Sequence, residues 1–384
     1  MQPAKKNTLI YLDHNASTPV EKRVEEAMRP YLLEIYGNPS SSHVFGQQGR
    51  MAVEKAREQC ALMLGCHQGE IIFTSGGTES NNMAIKGVAY ANRHKGKHII
   101  TSTVEHPAVM EVCKHLQKGG FEVTFVDVDE RGLVDVGDIE KSIRTDTILI
   151  SIMHANNEVG TIQPIESISQ IAHSHDIVMH TDASQSVGKI AVNVDSLGID
   201  LLSIAGHKFC APKGIGALYI RRGTPIEPLM QGAQHEFGLR AGTENVLEIV
   251  GLGEACLMVL ENLDKYTHHM RLIRDKLESY ITKSITWVRV NGDIHKRLPN
   301  TSSVSFEGIN ANQIIAACPN IALSAGAACH ADQVDVSHVL RAMRVPLEFA
   351  MGTIRFSVGR HTPEQDVDTA VKDILKAVHA LQKK

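Results

Sequence analysis

The sequence lacks any apolar run of about 18 residues, the length a helix needs to cross a bilayer, so no membrane span is expected. No cationic n-region followed by an apolar h-region opens the chain, and no secretory leader is expected. There is no long basic run, and the net charge is −4, which argues against nucleic acid and anionic membrane as partners. Cysteines number seven, an odd count with irregular spacing and no C-x-x-C pair. That pattern fits free thiols in a reducing cytoplasm and not a disulfide framework or a zinc knuckle. The 20 histidines include the pairs His173/His175 and His268/His269, but neither has the i, i+4 partner and carboxylate of a metal-binding helix. No metal site is expected. Internal repeats and low-complexity linkers are also missing.

What is present is length and apolar content. The chain has 384 residues, 43% of them hydrophobic, enough for a large core and two domains. Short apolar runs alternate with helical patterns through the first two thirds. Strands are predicted at 71–74, 98–102, 121–127, 147–153, 177–181 and 199–204, with helices predicted at 79–93, 107–118 and 165–175. This alternation predicts an α/β fold with a mainly parallel sheet covered on both faces. A helical pattern over 253–284 leads to short strands at 302–306 and 353–357 and a closing helix at 363–381. The expected division is an N-terminal arm (1–20), a large α/β domain (21–255) and a small C-terminal α+β domain (256–384). In such sheets ligands bind at the carboxyl ends of the strands.

Chemistry-bearing residues collect at those predicted ends. Lys208 follows a buried run in Gly206-His207-Lys208. A buried ammonium is costly unless paired or neutralised, and a neutralised lysine can bond to an aldehyde such as that of pyridoxal phosphate (PLP). The alternative is a lysine in a surface loop. Thr74-Ser-Gly-Gly-Thr-Glu79 lies between a strand and a helix, where a first-turn N–H cluster can hold a phosphate or simply form a capped turn. His106 precedes a proline-started helix; it can stack on a cofactor ring and move protons, or merely cap the helix. Asp182 suits a pyridine nitrogen and Gln185 a phenolic oxygen, although an aspartate there can also be a helix cap.

Taken together in order, these motifs resemble those of the fold-type I PLP enzymes. Within that fold the chain resembles the class V aminotransferase group, and specifically the cysteine desulfurase/selenocysteine lyase family. The resemblance covers nearly the whole chain. It includes Tyr11-Leu-Asp-His-Asn-Ala-Ser-Thr-Pro19, Gly37-Asn-Pro-Ser-Ser41, His154 to Gly160 and His180 to Gly188. It continues through Arg240 to Asn245, Ser324-Ala-Gly-Ala-Ala-Cys329-His330 and Arg355-Phe-Ser-Val-Gly-Arg360.

The resemblance implies roles. Lys208 is the attachment point of PLP, Asp182 pairs with the pyridine nitrogen, Gln185 contacts the phenolic oxygen, and His106 stacks and moves protons. Gly77, Thr78 and His207 hold the phosphate, with Thr243 reaching it from the partner subunit of a homodimer. Asn157 and Arg355 hold the substrate carboxylate. Cys329 accepts sulfur or selenium from L-cysteine or L-selenocysteine, leaving alanine, and an acceptor protein then takes the chalcogen. Independently, Cys329 sits among small residues that suit a flexible loop, and His330 can favour its thiolate. Cys60, Cys113, Cys256 and Cys318 are expected to be buried as small apolar residues. The guanidinium of Arg355 matches a carboxylate, though it also suits a surface ion pair.

There are departures from the family pattern. Ala205 stands where desulfurases commonly carry a phosphate-binding serine, and Gly232-Ala-Gln-His-Glu236 replaces a glycine-richer run. The segment 324–332 leans to the selenocysteine lyases and 336–340 to the desulfurases, so the choice of chalcogen stays open. Two rivals remain at this point: an aminotransferase or simple C–S lyase of the same fold, and a non-catalytic PLP-binding sulfur-transfer scaffold.

Overall fold

A computed structural model describes residues 9–330 and 333–382, with the backbone alone at 327–330 and 333–335. Strands are labelled in chain order. After β1 (Ile10–Tyr11) come seven strands of one sheet: β2 (Ile71–Thr74), β3 (His98–Ser102), β4 (Glu122–Val126), β5 (Thr147–Ser151), β6 (Val178–Asp182), β7 (Leu201–Ala205) and β8 (Gly216–Ile220). Their spatial order is β2-β8-β7-β6-β5-β3-β4. Only β8 runs against its neighbours; the pairs from β7 through β4 are all parallel. The fold is therefore the expected α/β class with a mainly parallel sheet.

Period-two alternation sends successive strand residues to opposite faces. Ile100, Ile150 and Leu202 pack on one face with the helices Val44–Leu64 and Ile165–Ser174. Ile99, Leu149 and Leu201 pack on the other with the helices Gly77–Asn92 and Pro107–Lys118. Both faces are buried, which is why these strands read as continuous apolar runs.

A 39-residue helix, Val246–Ser284, joins this layer to a second core. Ile249 to Val259 belong to the first core, whereas Tyr266 to Ile281 belong to the second. The helix begins seven residues before the predicted 253. Asn245 caps it by accepting the Glu248 N–H, and Gly251 and Gly253 depress helix propensity just where the pattern would otherwise start. Gly253 is required by packing: a Cβ there would lie 2.6 Å from the Ala56 Cα of helix Val44–Leu64.

The second core lies against an antiparallel sheet made from β9 (Val288–Asn291), β10 (Thr301–Phe306), β12 (Ser324–Ala325) and β15 (Thr353–Ser357), in the order β12-β15-β10-β9. The closing helix Glu364–Gln382 packs here through Val367, Val371 and Ile374. So do Ile10 and Leu12, because β1 pairs in parallel with β11 (Ile321–Ala322). A hairpin of β13 (Ala327–His330) and β14 (Gln333–Val336) completes the strands. No described helix is long and apolar enough to cross a membrane.

Candidate active site

Because β2, β3, β5, β6 and β7 point the same way, their carboxyl ends share one edge of the sheet. A cavity of about 380 Å³ lies there. It takes Gly77 and Thr78 after β2, His106 after β3 and Asn157 after β5. Asp182 and Gln185 at the end of β6, and His207 and Lys208 after β7, close the same space, with Arg355 entering from β15 of the small sheet. Nine of the eleven residues singled out from the sequence thus meet in one cavity. Of the other two, Thr243 is exposed and does not line it in this chain. Cys329 lies in β13 opposite Val334, and its side chain lies outside the described residues. The segment expected as a flexible loop is a strand here, paired antiparallel with β14.

Lys208 is the last residue of a short 3-10 turn, Gly206–Lys208, that follows β7 directly. Its Nζ donates to the backbone oxygens of Asn15 at 2.7 Å and Ala16 at 3.0 Å. Burial, with the Arg355 charge adding to it, lowers its pKa from 10.5 to about 8. About a tenth of the amine is then unprotonated at neutrality, far more than for an ordinary lysine, and the neutral form is the one that attacks a carbonyl. His207 is pushed down to about 4 by burial, with Lys208 next, and so stays neutral.

Asp182 is 6% exposed. One of its oxygens accepts from Asn81 Nδ2 at 2.7 Å and the other from the Ser184 N–H at 2.9 Å. Asn81 is one turn along from Gly77 on the same helix face, so the helix that offers its N-terminus to the cavity also steadies the carboxylate. A Cβ on Gly77 would come within 2.9 Å of Ser184 Oγ and 3.1 Å of Ala205 Cβ. His106 does cap its helix, its Nδ1 accepting the Ala108 N–H at 3.1 Å, and it also faces the cavity. Capping places the neutral ring's proton on Nε2. Burial lowers its pKa.

Arg355 is not a surface residue. Nη1 donates to Asn157 O at 3.0 Å, and Nη2 to Asp13 Oδ1 at 2.8 Å and Ser324 Oγ at 2.9 Å, while Nε is buried without a partner. Cys60, Cys113, Cys256 and Cys318 are buried, as expected.

Several site residues escape sequence reasoning. Asn15 lines the cavity and bonds to seven groups across the chain, yet it belongs to no strand end. Glu105 is completely buried behind His106. It accepts from Ser102 Oγ at 2.6 Å and the Met153 N–H at 2.9 Å, and burial raises its pKa to about 8. Lys189 is 3% exposed and meets Asn15 and Gln185. Asn15 stands inside the motif Tyr11 to Pro19, but with no role attached, and Glu105 and Lys189 are only next to motif residues.

Comparison with known proteins agrees with this geometry. The family model for aminotransferase class-V matches residues 10–370. A cysteine desulfurase IscS from Dictyoglomus turgidum is 51% identical over 371 residues, covering 96% of this chain and 94% of that protein. Another from Methanosarcina thermophila is 46% identical, covering 98% and 93%. Among solved structures, a NifS-like protein superposes with a TM-score of 0.92 at 40% identity, over 97% of this chain and 100% of that one. A structure described as SspA in complex with cysteine gives 0.81 at 37% identity, over 92% and 100%. The chain belongs to the class V aminotransferase family, among its cysteine desulfurases.

Proposed function

We propose that this protein uses PLP to remove sulfur from L-cysteine, leaving L-alanine. The observation that carries the proposal is one cavity bounded by a lysine of lowered pKa, a buried carboxylate and the open first turn of a helix. The donor set fits the cofactor. Among the described residues, the N–H groups of Gly77, Thr78 and Glu79 have no backbone acceptor, as a phosphate site at a helix start requires. Gly77 leaves room where a side chain would intrude, and His207 adds a neutral ring.

When bound, PLP supplies an electron sink for negative charge at the substrate α-carbon. Lys208 would be the attachment point and then the base that moves the α-proton. Asp182 would keep a proton on the ring nitrogen, Gln185 would meet the phenolic oxygen, and His106 would stack on the ring with its Nε2 proton free to donate. Gly77, Thr78 and His207 hold the phosphate, joined by Thr243 of a second subunit. Asn157 and Arg355 hold the substrate carboxylate. The Cys329 thiolate attacks the substrate sulfur: an S–S bond forms, the C–S bond breaks, and its electron pair goes to Cβ, which takes a proton. The products are alanine and a persulfide on Cys329, with no outside reductant, and an acceptor protein then takes the sulfur.

The same reading places the enzyme in the cytoplasm as a homodimer of two-domain subunits, divided near residue 255 within the long helix. Exposed Leu33, Tyr36 and Met51, with Tyr36 stacked on Phe45, supply apolar surface for the second copy.

Lys208→Ala tests the assignment. Purified wild-type protein is expected to carry a visible cofactor band and to release alanine from cysteine. The variant should lose the shifted band and the turnover together. Normal turnover in Lys208→Ala would remove the cofactor role, and pyruvate or a keto acid in place of alanine would identify a C–S lyase or aminotransferase.

A further inference from the structure

Lys189 is buried but does not line the active-site cavity. Among the described residues, no carboxylate lies within ion-pairing distance of its Nζ. That Nζ instead meets two neutral oxygens, Gln185 Oε1 at 2.6 Å and Asn15 Oδ1 at 2.9 Å. Burying an amine without a counter-charge is unfavourable, and an apolar side chain of similar size would avoid the cost. The geometry gives the amine something to do.

A lysine ammonium has donors and no acceptor, so it must face the oxygen of each amide. Burial, with the charges of Lys208 and Arg355, makes the proton easier to lose. A neutral amine still keeps two N–H donors, one for each oxygen. With Oε1 taken, the amide nitrogen of Gln185 turns the other way. One of its N–H groups goes to the backbone oxygen of Asn15 at 3.0 Å, and the other remains for the cavity. Asn15 is fixed likewise. Its Oδ1 also accepts from Asn300 at 2.9 Å, so its Nδ2 donates to Asn157 O at 3.1 Å and Thr301 Oγ1 at 2.8 Å. The Asn15 carbonyl that receives Gln185 is the one that receives Lys208.

We infer that Lys189 is a positioning residue: it acts through Gln185 and Asn15 to present the N–H side of the Gln185 amide to the ring oxygen of the cofactor. The inference rests on assigning the cavity to PLP. Without Lys189 the amide can rotate and set its oxygen against the ring oxygen, where two acceptors repel. The cofactor still binds, but its electronic state shifts.

The test is Lys189→Met, which keeps length and removes the donors, prepared as holoenzyme beside Gln185→Ala and the double variant. The variant is expected to bind PLP and to shift both the absorbance band and the pH midpoint of that band. Its kcat should fall about tenfold with KM little changed, the size of one lost hydrogen bond to a charged group. In the Gln185→Ala background, Lys189→Met should add little, because the two act as one unit. Lys189→Gln keeps a donor on a shorter chain and should give an intermediate spectrum; it carries the same test if the methionine variant does not fold. A band, midpoint and kcat equal to wild type would overturn the role, and so would losses that simply add in the double variant. A wild-type protein with no Lys208-dependent band would overturn the cofactor assignment instead.

Discussion

At the scale of single residues, the site is set by which donors have which acceptors. Arg355 is the clearest case. It serves Asn157 O, Asp13 Oδ1 and Ser324 Oγ at once, and its Nε stays buried and unpartnered. A planar fork can divide itself among acceptors on three segments and still present an edge to a carboxylate. A lysine carries the same charge on one nitrogen and cannot. Arg355→Lys is therefore expected to lower kcat/KM by about 1–3 kcal/mol, the usual worth of a charged hydrogen bond. Steady-state kinetics with L-cysteine measure it. An unchanged kcat/KM would move the carboxylate site elsewhere, with Arg360 the next guanidinium to examine.

At the scale of elements, the helix Gly77–Asn92 does two jobs: its first turn faces the cavity, and its second turn holds Asp182 through Asn81. Gly77→Ala separates them. The added methyl meets Ser184 Oγ, which can rotate away, and Ala205 Cβ at 3.1 Å, which cannot, so the apo protein should lose about 1 kcal/mol, the low end of overpacking costs. The methyl nevertheless intrudes beside the first-turn N–H groups. PLP affinity, read by titrating the apo protein, is expected to weaken several-fold. Affinity equal to wild type would show that the anion is held elsewhere.

The same helix shows what a sequence makes legible. Its glycines, its place after an apolar run and its threonine could be read locally, as could Lys208 and Asp182 at later strand ends. Helix Val44–Leu64 is much harder to see. Its buried face carries Gly46, Gly49, Arg57 and Gln59, so hydrophobic periodicity does not announce it. Arg57 is buried because Glu236, 179 positions away, pairs with it at 2.7 Å. The role of Asn15 was hidden for the same reason. Its partners, Gln185, Lys208 and Asn300, lie far along the chain, and polar pairing at such range leaves no spacing to read.

At the scale of the whole molecule, the reaction needs groups from both cores. The hairpin that carries Cys329 is tied at each end. Before it, Ser324 of β12 pairs with Arg355 of β15. After it, Ser337 Oγ donates to Glu158 at 2.6 Å and His338 Nε2 to the Glu105 carbonyl at 2.9 Å. The residues flanking the strand of the proposed nucleophile are thus tied both to the residue that would hold the substrate carboxylate and to the loops after β3 and β5. Removing the thiol leaves these ties and the Lys208–Asp182 cavity in place, so Cys329→Ala isolates one chemical step. With cysteine, sulfur leaves carbon poorly unless a thiolate takes it. With selenocysteine, the carbon–selenium bond is weaker and the conjugate acid of the leaving group is stronger, and groups of lower pKa leave faster. The hypothesis is that Cys329→Ala loses nearly all alanine release from L-cysteine and keeps a measurable part of it from L-selenocysteine. Single-turnover assays on both substrates, wild type beside variant, decide it. Equal loss on both would give Cys329 a part in selenium chemistry too, such as proton donation. Full retention on both would take it out of the mechanism and leave a PLP lyase that needs no sulfur acceptor of its own.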